Sequence, residues 1–215
     1  MDRNVADLRQ NYTYGGLLEG DVKADPIDQF AIWFQDATAA DLLEPNAMTL
    51  ATAEADGKPS ARIVLLKDYS DRGFVFYTNY ESNKSRQLIA NPQAALVFFW
   101  DKLERQVRIE GQVVKVSPTE SDTYFHSRPV SSQIGAWVSD QSRVIGDRQV
   151  LETKQQNLEQ KYQNSQQIPR PEHWGGWRVI PQTIEFWQGR PSRLHDRLVY
   201  TLQSDGTWQI SRLAP

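Results

Sequence analysis

The chain has 215 residues, three histidines, no cysteine and a formal net charge of −3. That length can bury a sizeable core in one domain, and the mildly acidic balance leaves no basic footprint for nucleic acid. Without cysteine, disulfides and thiolate metal sites are excluded, as suits a reducing cytosol.

His126, His173 and His195 show no metal-ligand spacing, so no metal is expected. No apolar run approaches a membrane span, and the polar, acidic start lacks a signal peptide's pattern. The expectation is a cytoplasmic protein with no membrane partner.

Residues 1–25 are polar, carry Gly15-Gly16 and read as a flexible arm, and residues 26–215 read as a single domain. Pro26 opens a helix in which Ile27, Phe30, Ala31 and Phe34 fall at helical spacing, the expected core face. Met48–Ala53 reads as a strand, and Asp56-Gly57 as the turn into a second strand over Ala61–Lys67. There Ile63, Val64, Leu65 and Leu66 form a continuous apolar run, which predicts burial on both faces. Asp71-Arg72-Gly73 marks the next turn, before a strand over Phe74–Thr78. Ser82 suits the N-cap of a helix over Lys84–Ala90 that stops at Asn91-Pro92.

Strands follow over Ala94–Trp100 and Gln106–Val116. The second alternates Val107, Ile109, Gly111 and Val113 with Arg108, Glu110, Gln112 and Val114, as a half-exposed strand does. Ser117-Pro118-Thr119-Glu120 is a capping-box helix start, and Tyr124 and Arg128, four apart, share a face of that helix. Val150–Gln163 reads as a solvent-facing helix and Gln166–Trp174 as a Pro-containing loop. Strands near Trp177–Trp187, Leu198–Leu202 and Trp208–Leu213 end the chain, the last two joined at Ser204-Asp205-Gly206. This pattern predicts an α+β protein built on an antiparallel barrel. No Gly-x-Gly-x-x-Gly follows a strand and no Gly-x-x-x-x-Gly-Lys occurs, so a Rossmann fold or P-loop lacks support.

Arg193 and His195 flank Leu194 and point to one side of an extended backbone. A guanidinium beside an imidazole suits a flat, anionic, proton-exchanging ligand. A charged surface hairpin with an ordinary histidine fits the same stretch equally well. Arg62 and Lys67 bracket the apolar run, and half-buried cations need partners, either a bound phosphate or an internal carboxylate. Lys84 sits in a first helical turn, where a cation is unfavourable unless an anion binds at the same end. Gln106 and Gln141 offer amides that both donate and accept.

Several of these segments stand in one order: Arg62-Ile63-Val64-Leu65-Leu66-Lys67, Tyr77-Thr78, Ser82-Asn83-Lys84, Gln106 and Tyr124-Phe125-His126-Ser127-Arg128. Ser132, Gln141-Ser142, Trp187, Arg193-Leu194-His195-Asp196-Arg197 and the ending Ile210–Pro215 follow them. From about Leu8 to the last residue the chain resembles the pyridoxine (pyridoxamine) 5'-phosphate oxidase family. The resemblance implies an FMN-binding split β-barrel with flanking helices. It also implies an obligate homodimer, with FMN between subunits and C-terminal strands that serve dimerisation and the active site. The implied reaction is FMN-dependent oxidation of pyridoxamine 5'-phosphate and pyridoxine 5'-phosphate to pyridoxal 5'-phosphate. A hydride moves from C4' to flavin N5, and O2 accepts the electrons to give hydrogen peroxide, with ammonia from the amine.

The resemblance also implies roles. FMN is held by Arg62, Ile63, Val64, Leu65, Leu66, Lys67, Tyr77, Thr78, Asn83, Lys84, Gln106, Gln141 and Ser142, with Trp187 and Arg197 from the partner subunit. Arg62, Thr78, Lys84 and Ser142 serve its phosphate. Lys67, Tyr124, Arg128 and Ser132 clamp the substrate phosphate. Arg193, Leu194 and His195 meet the substrate ring, Arg193 and His195 as the catalytic pair, and Arg9 and Tyr12 close over it from the arm. The chain departs from the family pattern at Asn83, where many relatives carry Arg, and at Gln10, where relatives often pair a second Arg with Arg9. The competing readings are a split-barrel flavin reductase with a nicotinamide or deazaflavin partner, and a carrier of FMN or vitamin-B6 phosphate. Arg193-Leu194-His195-Asp196-Arg197 with the Tyr124/Arg128 clamp weighs against the first, and Arg193 with His195 against the second.

Overall fold

In the computed structural model, which describes Asn4, Val5, Leu8 and residues 11–215, Asp25 sets the start of helix α1 (Pro26–Ala39). Its Oδ1 accepts the Ile27 N–H at 2.7 Å, and Pro26 occupies a position where no N–H is needed. The buried face of α1 is Phe30, Trp33 and Ala37 with Gln29. This corrects the expected stripe: Phe30 belongs to it, whereas Ile27, Ala31 and Phe34 are only half-buried. The face is rotated toward Trp33, whose large ring packs edge-on against Phe186 at 5.1 Å.

The strands are β1 (Ala47–Ala53), β2 (Pro59–Leu65), β3 (Asp68–Ser70), β4 (Gly73–Asn79), β5 (Gln93–Trp100), β6 (Arg105–Lys115), β7 (Trp174–Gln188), β8 (Asp196–Leu202) and β9 (Trp208–Arg212). They are hydrogen-bonded in the order β2-β1-β5-β6-β7-β4-β3, with β8 also on β7 and β9 on β8. The β3–β4, β4–β7, β7–β8 and β8–β9 pairings are all antiparallel. Helices α2 (Asn83–Ala90), α3 (Pro118–Ser127), α4 (Val130–Val138) and α5 (Gln149–Tyr162) complete the elements. Among the described residues, no helix is long and apolar enough to cross a membrane.

The chain divides into two compact units. One comprises Met1–Leu50, Ala95–Gly111 and Pro181–Pro215; the other comprises Ala51–Ala94 and Gln112–Ile180. In the first, Phe30 packs on Phe98 at 5.2 Å and on Trp100 at 6.1 Å. In the second, Phe125, Ile134, Ala136, Val138, Ile168 and Trp174 form a buried cluster.

Local chemistry sets most boundaries. The Ser117 side chain accepts the Glu120 N–H while Glu120 returns to the Ser117 N–H, the capping box read from the sequence. Strand β6 alternates as expected, burying Val107, Ile109 and Val113. Gly73 has φ +117°, and a Cβ there would lie 2.1 Å from the Val179 carbonyl oxygen. Only glycine fits that turn. Helix α5 buries no residue, in keeping with its polar sequence. Helix α4 was not expected, because its start at Pro129 has no side-chain cap to announce it.

The apolar run of β2 is the clearest correction. Burial on both faces was expected, yet Ile63 is exposed and Val64 and Leu65 are half-buried; only Leu66 is buried. β2 stands last in the strand order, and Ile63, Val64 and Leu65 line a cavity instead of packing under another layer.

Candidate functional site

Ile63, Val64 and Leu65 line a cavity of about 670 Å³ that lies wholly within the second unit. Its walls also include Arg62 and Lys67 from the β2 region, Tyr77 and Thr78 from β4, and Lys84 from α2. Tyr124 and Arg128 come from the end of α3, Ser132 from α4, and Gln141 from the segment beyond it. The lining therefore contains four cations, Arg62, Lys67, Lys84 and Arg128, and no carboxylate.

Ser82 caps α2, and Lys84, in the first turn of that helix, lines the cavity. Its Nζ donates to Gln141 Oε1 at 2.9 Å, Thr78 Oγ1 at 3.3 Å and Ser82 Oγ at 3.5 Å. Burial and the nearby Arg62 charge lower its pKa from the ordinary value to about 8. The Arg62 guanidinium is supported from below by Thr52 and Gln87. Two cations pressed together around neutral oxygens form a site for an anion.

Ser142 and Asn83 lie beside this group rather than in the cavity wall. Ser142 Oγ accepts the Asn83 backbone N–H at 3.2 Å, at the start of α2. The Asn83 side chain accepts a hydrogen bond from Arg86, so it faces along its own helix. Leu66 is buried and does not line the cavity.

Arg128 forms a second anion-seeking group. Its guanidinium lies 4.5 Å over the Trp174 ring, and Nη2 donates to the Ser132 carbonyl at 2.8 Å. Nη1 is buried with no hydrogen-bond partner, which is costly unless a ligand supplies an acceptor. Tyr77 stacks on Tyr124 with centroids 3.9 Å apart and on Trp174 at 5.5 Å. This stack is possible because Gly176 opposes Tyr77 across the β4–β7 ladder; a Cβ there would come within 2.8 Å of the Tyr77 ring. Burial, then Glu120, pushes the Tyr77 phenol up to about 12, and burial also raises Tyr124. Both phenols are therefore protonated donors at neutral pH.

A separate hollow of about 630 Å³ lies within the first unit, lined by Tyr12, Trp187, Arg190, Ser192, Arg193 and His195 with Leu8 and Asn11. Arg193 and His195 meet there, but not by the extended alternation expected. Ser192 and Arg193 have φ of 58° and 62°, and the Leu194 N–H donates to the Pro191 carbonyl at 3.2 Å, closing a tight turn through two left-handed residues. The turn, rather than the period of a strand, brings the two side chains together, and Leu194 points away, exposed. His195 Nδ1 accepts the Arg190 N–H at 3.1 Å. In the neutral ring the proton is thus on Nε2. Burial, then the Arg193 charge, lowers the His195 pKa. Tyr12 packs edge-on against Trp187 and His195, each at 5.6 Å.

Arg197 and Gln106 line neither space. Arg197 makes a two-pronged ion pair with Glu185 at 2.7 and 3.1 Å, and Gln106 is half-buried on β6. Arg9 lies outside the described residues. His126 and His173 are structural, their Nε2 atoms bonded to the carbonyls of Ile168 and Ala136. The sequence reading missed Thr52 and Gln87 beneath Arg62, and Trp174 beneath Arg128. Nothing in the sequence around Thr52 or Gln87 marks the first pair, because their burial is set by packing.

The family profile described as pyridoxamine 5'-phosphate oxidase matches residues 34–162. That described as the pyridoxine 5'-phosphate oxidase C-terminal dimerisation region matches residues 174–215. A protein of Trichormus variabilis named pyridoxine/pyridoxamine 5'-phosphate oxidase is 62% identical over 215 residues, covering 100% of both chains. One of the same name from Cupriavidus necator is 59% identical over 211 residues, covering 98% of this chain and 99% of the relative. Among solved structures, PhzG of Burkholderia lata, in complex with tetrahydrophenazine-1-carboxylic acid, superposes with a TM-score of 0.86 at 31% identity. It covers 93% of this chain and 98% of that one. A pyridoxamine 5'-phosphate oxidase-related, FMN-binding protein of Nostoc punctiforme shares the fold, with a TM-score of 0.72 at 14% identity, covering 90% of this chain and 100% of that one. The fold is thus the α+β antiparallel split barrel with flanking helices that the sequence led us to expect.

Proposed function

This chain belongs to the pyridoxamine 5'-phosphate oxidase family, and from that premise we propose that it uses FMN to oxidise pyridoxamine and pyridoxine 5'-phosphates to pyridoxal 5'-phosphate. One observation carries the reading: a single cavity whose lining has four cations and no carboxylate. The proposed reaction needs two phosphates held, that of FMN and that of the substrate. The alcohol gives the aldehyde as O2 becomes hydrogen peroxide; the amine, with one water, also gives ammonia. FMN, when bound, would supply the acceptor for the hydride leaving C4', and O2 would take up the electrons.

The chain's own residues bind and orient. Arg62, Thr78 and Lys84 hold the FMN phosphate, and Ser142 fixes the adjoining helix start. Gln141, in the cavity wall, meets the polar edge of the flavin. Lys67, Tyr124, Arg128 and Ser132 hold the substrate phosphate, for which the buried, unpaired Arg128 Nη1 is suited. Arg193 and His195 set the substrate ring, with Tyr12 against them and Arg9 on the same arm. The match to a dimerisation region over residues 174–215 supports a homodimer in which Trp187 and Arg197 serve the partner's FMN.

The purified protein, loaded with FMN and given pyridoxine 5'-phosphate in air, should release peroxide and pyridoxal 5'-phosphate in equal amounts. Flavin binding without peroxide or aldehyde would defeat the oxidase reading and leave a carrier. Turnover that requires a nicotinamide would favour a reductase. Light scattering that finds a fully active, FMN-loaded monomer would remove the homodimer.

A further inference from the structure

Beneath Arg62 lies a hydrogen-bonded chain of side chains with only one possible polarity. Glu54 Oε1 accepts from Gln87 Nε2 at 2.9 Å. An ionised carboxylate can only accept, so it turns the Gln87 amide with Nε2 toward Glu54 and Oε1 toward the interior. Gln87 Oε1 then accepts the Thr52 hydroxyl at 2.5 Å and Arg62 Nη2 at 3.3 Å. Thr52 has a single proton, already given to Gln87, so its Oγ1 is left to accept Arg62 Nη1 at 2.6 Å. Thr52 and Gln87 are both buried, at 4% and 6% exposure. They come from different elements, β1 and α2, and neither lines the cavity.

We propose that Thr52 and Gln87, with Gln87 oriented by Glu54, are positioning residues that lock the Arg62 guanidinium toward the phosphate of FMN. The inference rests on the reading that Arg62 faces that phosphate. An arginine side chain has many rotamers, and its planar fork is useful only when it is aimed. The chain of acceptors takes both Nη atoms of Arg62 from one side. It spends the rotamer freedom of Arg62 before FMN arrives, so binding does not have to. Glu54 acts at the far end, where its charge sets the direction of the chain without standing at the cavity.

The test compares FMN with riboflavin, which has the same ring and ribityl chain but no phosphate. Both are titrated by flavin fluorescence quenching into the flavin-free protein. Thr52→Val removes the hydroxyl at nearly constant shape, and Thr52→Ser restores it. Thr52→Val should weaken FMN about tenfold, the scale of one charged hydrogen bond, and leave riboflavin unchanged. Thr52→Ser should recover most of the loss. Glu54→Ala, at the exposed end, should fold even if Thr52→Val does not, and should weaken FMN alone by about threefold. Equal loss for FMN and riboflavin would overturn the proposal, because it would mark a general loosening of the fold. Unchanged affinity for both would overturn it too. If the unaltered protein bound riboflavin as tightly as FMN, the phosphate reading of Arg62 would itself fail, an outcome separable from the others.

Discussion

Lys84 Nζ donates to Gln141 Oε1 at 2.9 Å, from opposite sides of a loop and helix start that are 57 residues apart in sequence. The lysine is thereby held among neutral oxygens, where burial, and then the nearby Arg62 charge, lower its pKa to about 8. From about pH 8 to the ordinary lysine value of 10.5, the unfolded chain binds more protons at this position than the folded one. The flavin-free fold should therefore gain stability from this group as pH rises through that window. Bound phosphate acts the other way, because it favours the charged lysine. FMN affinity should fall as pH rises above about 8, by up to roughly tenfold per pH unit for one proton. Lys84→Arg keeps its charge at high pH and should flatten that slope. Fluorescence titrations at a series of pH values measure it, and an equal slope in Lys84→Arg would exclude Lys84 as its source.

Arg128→Ala should raise KM for pyridoxine 5'-phosphate about tenfold or more, since one charge-assisted contact is worth roughly 1.5–3 kcal/mol. A phosphate contact made equally in ground and transition states leaves kcat nearly unchanged. Arg128→Lys keeps the charge but loses the planar face now stacked on Trp174, and should fall between the two. Steady-state kinetics decide the matter; a loss confined to kcat would move Arg128 from binding to chemistry.

Arg193→Lys should slow the reaction while FMN stays bound. Arg193 is aimed by a backbone with positive φ, and its fork, not its charge alone, suits the edge of a ring. Anaerobic stopped-flow reduction of the flavin reads the step directly. A wild-type reduction rate in this variant would take Arg193 off the catalytic list.

His195 should serve as a donor through Nε2, because the Arg190 N–H occupies the Nδ1 lone pair. Protonating the ring would set two donors against each other. Since burial and Arg193 lower this pKa, the acid loss of activity traceable to His195 should fall below the ordinary imidazole range of about 6.5. His195→Gln retains a side-chain N–H donor and should cost less than about tenfold in kcat. Removal of a general base costs roughly 10²–10⁴-fold, so a loss of that size would make His195 the base instead.

Caps and periods were legible in the chain because they depend on residues within four positions of one another. Pro26, Ser82, the Ser117/Glu120 box and the alternation of β6 all stand where the sequence places them. The cations were legible as well, Arg62 and Lys67 as a pair bracketing an apolar run and Lys84 by its place in a first helical turn, and with Arg128 they do meet in one cavity, although Lys67 is exposed there and not half-buried.

What the chain could not reveal alone was decided by distance along it. The apolar run of β2 reads as doubly buried, yet in the fold Ile63, Val64 and Leu65 line the cavity, and Ile63 is exposed there. The meeting of Arg193 and His195 comes from two left-handed residues, a backbone choice that no side-chain period encodes. The support under Arg62 joins Thr52 to Gln87 across 35 residues, and Arg128 finds Trp174 only after β7 has returned to pair with β4. Sequence determined which groups this protein carries and where its elements start. Tertiary packing decided which of those groups face one another, because that depends on long-range burial and not on local pattern.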